Sequence, residues 1–166
     1  MNARTELASD VLRPMTVASL DGVMALEEAV YPFPWTRGNF LDSLASGYTA
    51  WTLNRVEGDL VGYCVAMFGA GEMHLLNITV APAWRQRGHA RRLFEELVAV
   101  CRQRPADRLW LEVRESNRTA QEVYRRLGFV AAGMRRGYYP APAGTREDAI
   151  VMTLDLRDGG RGHALD

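Results

Sequence analysis

The strongest constraint on the fold lies in the second half of the chain. An apolar run from Met73 to Val80 stops at Ala81-Pro82, and a glycine at 88 opens a long helical pattern. In that pattern Ala90, Phe94, Leu97 and Cys101 recur at helical spacing up to about Arg102. Leu109 to Arg114 reads as another strand. Asn117 then caps a second helix, whose Ala120, Val123, Tyr124 and Leu127 share a face and which Gly128 ends. Strands separated by long helices pair in parallel, because the helix carries the chain back to its starting edge.

The flanking segments enlarge this unit. Val11 to Ser19 is predicted as a strand, and a helix from about Leu20 to Val30 follows, with Ser19 or Asp21 near its cap. YPFPW packs two prolines and three aromatics into an irregular loop, after which Thr36 caps a short helix to about Ala45. Tyr48 to Arg55 and Leu60 to Phe68 form a hairpin around Glu57-Gly58-Asp59. Phe129 to Tyr139 and Glu147 to Leu156 are the last strands, separated by PAPAGT. The order predicts an α/β fold with a mixed sheet and helices on both faces. One domain is expected over residues 11–156, between a flexible polar leader at 1–10 and a flexible glycine-rich tail at 157–166.

Charge and composition exclude several function classes. Net charge is zero, so no whole-protein basic field favours nucleic acid, and no direct nucleic-acid partner is expected. All 20 basic residues are arginine, and without a lysine no Walker-type phosphate loop can be built. The dinucleotide fingerprint GxGxxG is absent. Cys64 and Cys101 are far apart, and with His74, His89 and His163 they supply no zinc spacing, so no metal is expected. No signal core or membrane-length apolar run is present in the sequence, which predicts a cytoplasmic protein without a membrane partner.

RQRGHA, at Arg85 to Ala90, joins a strand to a helix N-terminus, where several backbone N–H groups lack intrahelical partners. Those donors and the helix dipole favour an anion, and Gly88 and Ala90 allow close approach. From Arg85 to Arg108 seven arginines stand against three acidic residues. The other reading of the same residues is an ordinary turn with solvated arginines.

Taken together, Arg-x-x-Gly-x-Ala at this place, LLNITVAP before it and NRTAQEVYRRLGF after it resemble the GNAT superfamily of N-acetyltransferases. The resemblance runs from about residue 12 to 156. LWLEVRESN, YPFPW, and RRGYYP followed by REDAIVM resemble its RimI branch, which acetylates the N-terminal alanine of a small-subunit ribosomal protein. Gly137, where the branch often has a larger polar residue, and PAPAGT, about a residue long, depart from the pattern on the expected peptide side. The resemblance implies a GNAT fold: a mostly antiparallel sheet of about seven strands with a splayed parallel pair at the cofactor site. It implies acetyl-CoA as co-substrate and the N-terminal peptide of a protein as partner.

It also implies roles for particular residues. Glu112 is the proton acceptor; strand alternation places it with Trp110 and Arg114, and a salt bridge to Arg114 or another arginine is the alternative. Tyr124 is the acid for the leaving thiolate, although it also lies on the apolar stripe of its helix. Ile78, Thr79 and Val80 offer backbone groups to the cofactor, freed in the superfamily by a bulge and splaying of this strand; a plain buried strand is the alternative. Gln86, Arg87, Gly88, His89, Ala90 and Arg91 hold its pyrophosphate, mainly through backbone. Asn117 is a further cofactor contact, a helix cap, or both. Tyr31, Phe33, Trp35, Tyr138 and Tyr139 line the peptide groove or form an aromatic cover over the core.

An α-amine has a pKa of about 8, so about a tenth is neutral at pH 7 and a base is required. Direct transfer with a Glu base and a Tyr acid needs no covalent intermediate. The alternatives are acetylation of lysine or a small amine, and a CoA-binding regulatory module with little turnover.

Overall fold

The computed structural model describes residues 10–157. Its elements are β1 (Asp10–Pro14), α1 (Leu20–Val30), α2 (Arg37–Ala45), β2 (Thr49–Arg55), β3 (Leu60–Gly69), β4 (Glu72–Val80), α3 (His89–Gln103), β5 (Arg108–Arg114), α4 (Arg118–Arg126), β6 (Val130–Pro140) and β7 (Arg146–Asp155). Asp10, expected in the leader, opens β1 and is buried. The rest of the expected leader, and the tail beyond Arg157, lie outside the described residues.

The first strand is shorter than expected. It ends at Pro14, and Val17–Ser19 form a 3-10 turn. The Thr16 N–H donates to Ser19 Oγ at 2.9 Å, and that hydroxyl donates back to the Thr16 carbonyl at 2.7 Å. A side chain that satisfies nearby backbone groups competes with the sheet ladder, and here it turns the chain into α1.

The sheet order is β1-β2-β3-β4-β5-β7-β6. Every neighbouring pair is antiparallel except β4 and β5, whose strands are joined through α3. Alternation along β3 assigns the two faces. Cys64 and Ala66 join the core containing Leu93 and Leu97 of α3, against which Ala120, Tyr124 and Leu127 also pack. Tyr63 and Val65 join Leu20, Val23 and Phe40 beneath α1 and α2. Burying each large apolar side chain contributes about 1.5–3 kcal/mol, so both faces must stay covered.

The parallel pair is short, and its shortness makes the site. β4 and β5 pair only from Glu72 to Leu75 and from Arg108 to Leu111. Across β3, Val65 then pairs with Asn77 and Ala66 with Leu75, which leaves Leu76 as a bulge. A bulge bends its strand and breaks the ladder. β5 continues to Arg114 on β7 while the end of β4 stays with β3. Contact with β3 is close there: a Cβ on Gly62 would lie 2.4 Å from the Thr79 carbonyl oxygen. Only glycine lets the two backbones approach so far.

Candidate active site

The turn before α3 presents backbone donors. Gln86 has φ 60° and Gly88 has φ 88°, so two residues out of three are left-handed. Gly88 caps α3 without any side-chain hydrogen bond, leaving the first N–H groups of the helix uncapped by a side chain. Successive N–H groups in such a turn form an anion-binding concavity at the positive end of the helix dipole. Arg85 Nε donates to the Val80 carbonyl at 3.2 Å, tying the turn to β4. Arg91 pairs with Glu95 at 2.8 Å. His89 buries its ring beside Asp10, so toward the turn it offers backbone.

Glu112 lies where β5 parts from β4. Leu109, Leu111 and Val113 face the α3 core, so Trp110, Glu112 and Arg114 point to the other face, as the alternation predicts. The Glu112 side chain is 6% exposed, with His74 Nε2 at 2.5 Å from Oε2 and Arg135 Nε at 3.3 Å from Oε1. Oε1 is buried and accepts no aligned hydrogen bond, although the Arg135 guanidinium lies beside it. His74 stacks on Trp110 with ring centroids 3.6 Å apart. Arg114, one candidate partner for Glu112, pairs instead with Glu147 at 3.1 Å. Both carboxylate oxygens are therefore in ion-pair contact, and Oε1 is buried with hydrogen-bonding capacity unused.

Tyr124 approaches from the opposite face. It packs on Phe129 with ring centroids 5.7 Å apart and belongs to the α3 core, so the apolar-stripe reading describes its body. Burial pushes its phenol well above the ordinary value of 10, helped by the nearby Tyr31 and Tyr139 hydroxyls and the Cys64 thiol. Such a group is a proton donor at neutral pH. Asn117 accepts from the Ala120 N–H at 3.1 Å, so it does cap α4. Burial raises the Cys64 thiol to about 12 and the Cys101 thiol to about 11, which makes both poor nucleophiles.

The aromatic residues separate into two groups. Tyr139 donates to the Glu112 carbonyl at 3.0 Å and stacks edge-on against Tyr138. The Arg114 guanidinium lies 4.5 Å over Tyr139 and 5.6 Å over Phe33, so these two rings and Tyr138, edge-on to Tyr139, cluster around one guanidinium close to Glu112. Trp35 does not join them in this way: its ring packs on Phe40 at 5.2 Å in the α1–α2 core. Tyr31 hydrogen-bonds with Thr79 Oγ1 at 2.8 Å, and so braces β4. Ile78, Thr79 and Val80 lie past the last β4–β5 pair, with Thr79 buried and the other two partly so.

Sequence reasoning missed the groups that hold these residues in place. His74 is one of several polar residues in β4, and only the parallel register, which pairs it with Trp110, brings it to Glu112. Glu27 is buried, accepts from the Trp35 N–H at 2.9 Å and from Asn77 Nδ2 at 3.1 Å, and also takes the Tyr63 hydroxyl. Burial and this carboxylate push the Tyr63 phenol far up. A polar residue on the inner side of α1 was the available signal. Among the described residues no helix is long and apolar enough to cross a membrane, and no group of three His, Cys, Asp or Glu is placed to hold a metal.

Residues 20–129 match the Acetyltransferase (GNAT) family. The chain is 35% identical over 132 residues to the [ribosomal protein bS18]-alanine N-acetyltransferase of Haemophilus ducreyi, covering 79% of this chain and 90% of that one. It superposes on the crystal structure of the ribosomal-protein-S18-alanine N-acetyltransferase from Escherichia coli with TM-score 0.81 and 32% identity, covering 95% and 99%. Arabidopsis thaliana Naa50, in complex with the bisubstrate analogue CoA-Ac-MVNAL, shares the fold at TM-score 0.76 and 18% identity, covering 89% and 99%.

Proposed function

The chain belongs to the acetyltransferase (GNAT) family, and we propose that it transfers an acetyl group from acetyl-CoA to the N-terminal alanine amine of ribosomal protein bS18. The substrate class rests on the relatives that carry this activity over most of their length. For the chemistry, the observation that carries the reading is Glu112: a nearly buried carboxylate beside His74, with hydrogen-bonding capacity left at one oxygen, where two strands part.

The residues present fit acetyl-CoA. The uncapped N-terminus of α3 suits a pyrophosphate, and the unpaired end of β4 suits an extended amide-bearing arm. When bound, acetyl-CoA supplies an activated acyl group on sulfur. Gln86 to Arg91 hold the phosphates, and Asn117 borders them from α4. Backbone groups of Ile78, Thr79 and Val80 orient the thioester. Phe33, Tyr138 and Tyr139 flank the peptide terminus, while Tyr31 and Trp35 fix the β4 and loop walls behind them.

Glu112 takes a proton from the α-amine, leaving a nitrogen lone pair to form the new bond to the acetyl carbon. His74, 2.5 Å from Glu112, shares that proton and moves it outward. Tyr124 gives its proton to the departing sulfur as the carbon–sulfur bond breaks. Neither buried cysteine takes part.

The test uses purified protein, acetyl-CoA and two peptides followed by mass. One has a free N-terminal alanine followed by basic residues; the other has a blocked terminus and an internal lysine. Acetylation of the first alone is expected. Modification of only the second would overturn the N-terminal assignment, and modification of neither would return the chain to a CoA-binding module.

A further inference from the structure

The mechanism leaves unused a buried charged cluster behind the phosphate-gripping turn. Asp10 Oδ2 lies 3.0 Å from His89 Nδ1, and Oδ1 lies 3.1 Å from Arg55 Nη1; the Asp10 side chain is fully buried and that of His89 is 1% exposed. These contacts are close but not aligned as hydrogen bonds: charge holds Asp10 to Arg55, and packing holds the His89 ring against the carboxylate. Trp84 stands beside it, edge-on to His89 at 6.2 Å. Arg55 and Arg87 lie 5.0 and 5.2 Å from the centre of its ring.

The position of this cluster gives it a task. The turn contains Gln86 in a left-handed conformation, which a non-glycine residue keeps only when its surroundings over-determine it. Trp84 precedes the turn and His89 follows it, and the cluster fixes both. We propose that Asp10 is a positioning residue for coenzyme A: through His89 and Arg55 it clamps both ends of the strained turn, so that the N–H groups face a pyrophosphate before any ligand arrives. This rests on the proposed acetyl-CoA reading and adds a residue at the edge of the sheet, on β1, to it.

The clamp works with His89 neutral. Burial pushes the imidazole below its ordinary 6.5; Asp10 on β1 pulls it up, and Arg55 on β2, Arg87 in the turn and Arg92 on α3 push it down. A neutral ring adds no charge to compete for Asp10 with Arg55.

The experiment measures coenzyme A binding by calorimetry to the full chain and to Asp10→Asn, Asp10→Ala, Gln86→Gly and Asp10→Asn/Gln86→Gly, beside thermal unfolding of each. Asp10→Asn is expected to weaken binding about tenfold, with Asp10→Ala at least as severe. In the Gln86→Gly background, where the left-handed turn is free of strain, the Asp10→Asn loss should shrink to about twofold or less. A purely structural Asp10 would lower the melting temperature without this rescue. Unchanged affinity in folded Asp10→Asn, or an equal loss with and without Gln86→Gly, would overturn the inference alone. A wild-type chain that does not bind coenzyme A would overturn the inference and the acetyl-CoA reading together.

Discussion

Replacing Gly62 with alanine tests whether the placement of β4 matters to the reaction. The new Cβ would sit 2.4 Å from the Thr79 carbonyl oxygen and 3.3 Å from the Val80 Cα, both backbone atoms that no rotamer change can move. Relieving the first contact to about 3.4 Å requires the end of β4 to shift by about 1 Å relative to β3. Overpacking of this kind costs about 2 kcal/mol, which lowers the melting temperature of a chain this size by roughly 4–8 °C. The same shift moves Ile78, Thr79 and Val80 against Glu112, and misplacing a reacting group by about 1 Å costs about 10²-fold in rate. Steady-state acetylation of the alanine peptide, with melting followed by circular dichroism, reads both effects. A folded variant with the expected loss of stability and an unchanged kcat would refute the claim that this stretch of backbone orients the acetyl group.

Glu112→Gln keeps the shape of the site but leaves His74 and Arg135 without their negative partner. It should lower kcat/KM for the peptide by about 10²-fold or more, with coenzyme A affinity from calorimetry nearly unchanged. Tyr124→Phe should lower kcat by a similar factor of about 10². Because the Tyr124 phenol is raised above 10, it stays protonated over the working range, so the wild-type rate should show no alkaline fall from this group up to pH 10. His89 is depressed below 6.5 in the folded protein, so its contribution to stability is complete above the unfolded value and is lost as pH falls through the folded one. Melting temperatures should therefore drop on going below about pH 6.5, and His89→Gln should flatten that slope.

Some of this was legible because it follows from local rules. The crossover around α3 showed itself as a helical period between two strands, and the caps at Thr36 and Asn117 close on the Asn39 and Ala120 N–H groups at 3.2 and 3.1 Å. Glu112 stood out as a carboxylate in a strand with both neighbours apolar. The bulge at Leu76 was legible only through the family resemblance, because LLNITV by itself reads as uninterrupted strand and the irregularity exists in the register against β3. Asp10 read as part of a polar leader; its burial depends on Arg55 and His89, which reach it from distant segments. Trp35 shows the limit of composition: it belongs to an aromatic loop, yet Phe40 draws its ring into the core.

The parting of β4 from β5 also shapes how the molecule coheres. Its sheet is two leaves, β1 to β4 and β5 with β7 and β6, stitched by four residue pairs and by the core under α3. On the proposed cofactor reading, an extended guest in the seam would meet strand edges on either side and act as an additional rung between the leaves. Occupancy of the seam would then stabilise the folded domain by mass action. With coenzyme A in the proposed site, amide exchange along the ends of β4 and β5 should slow.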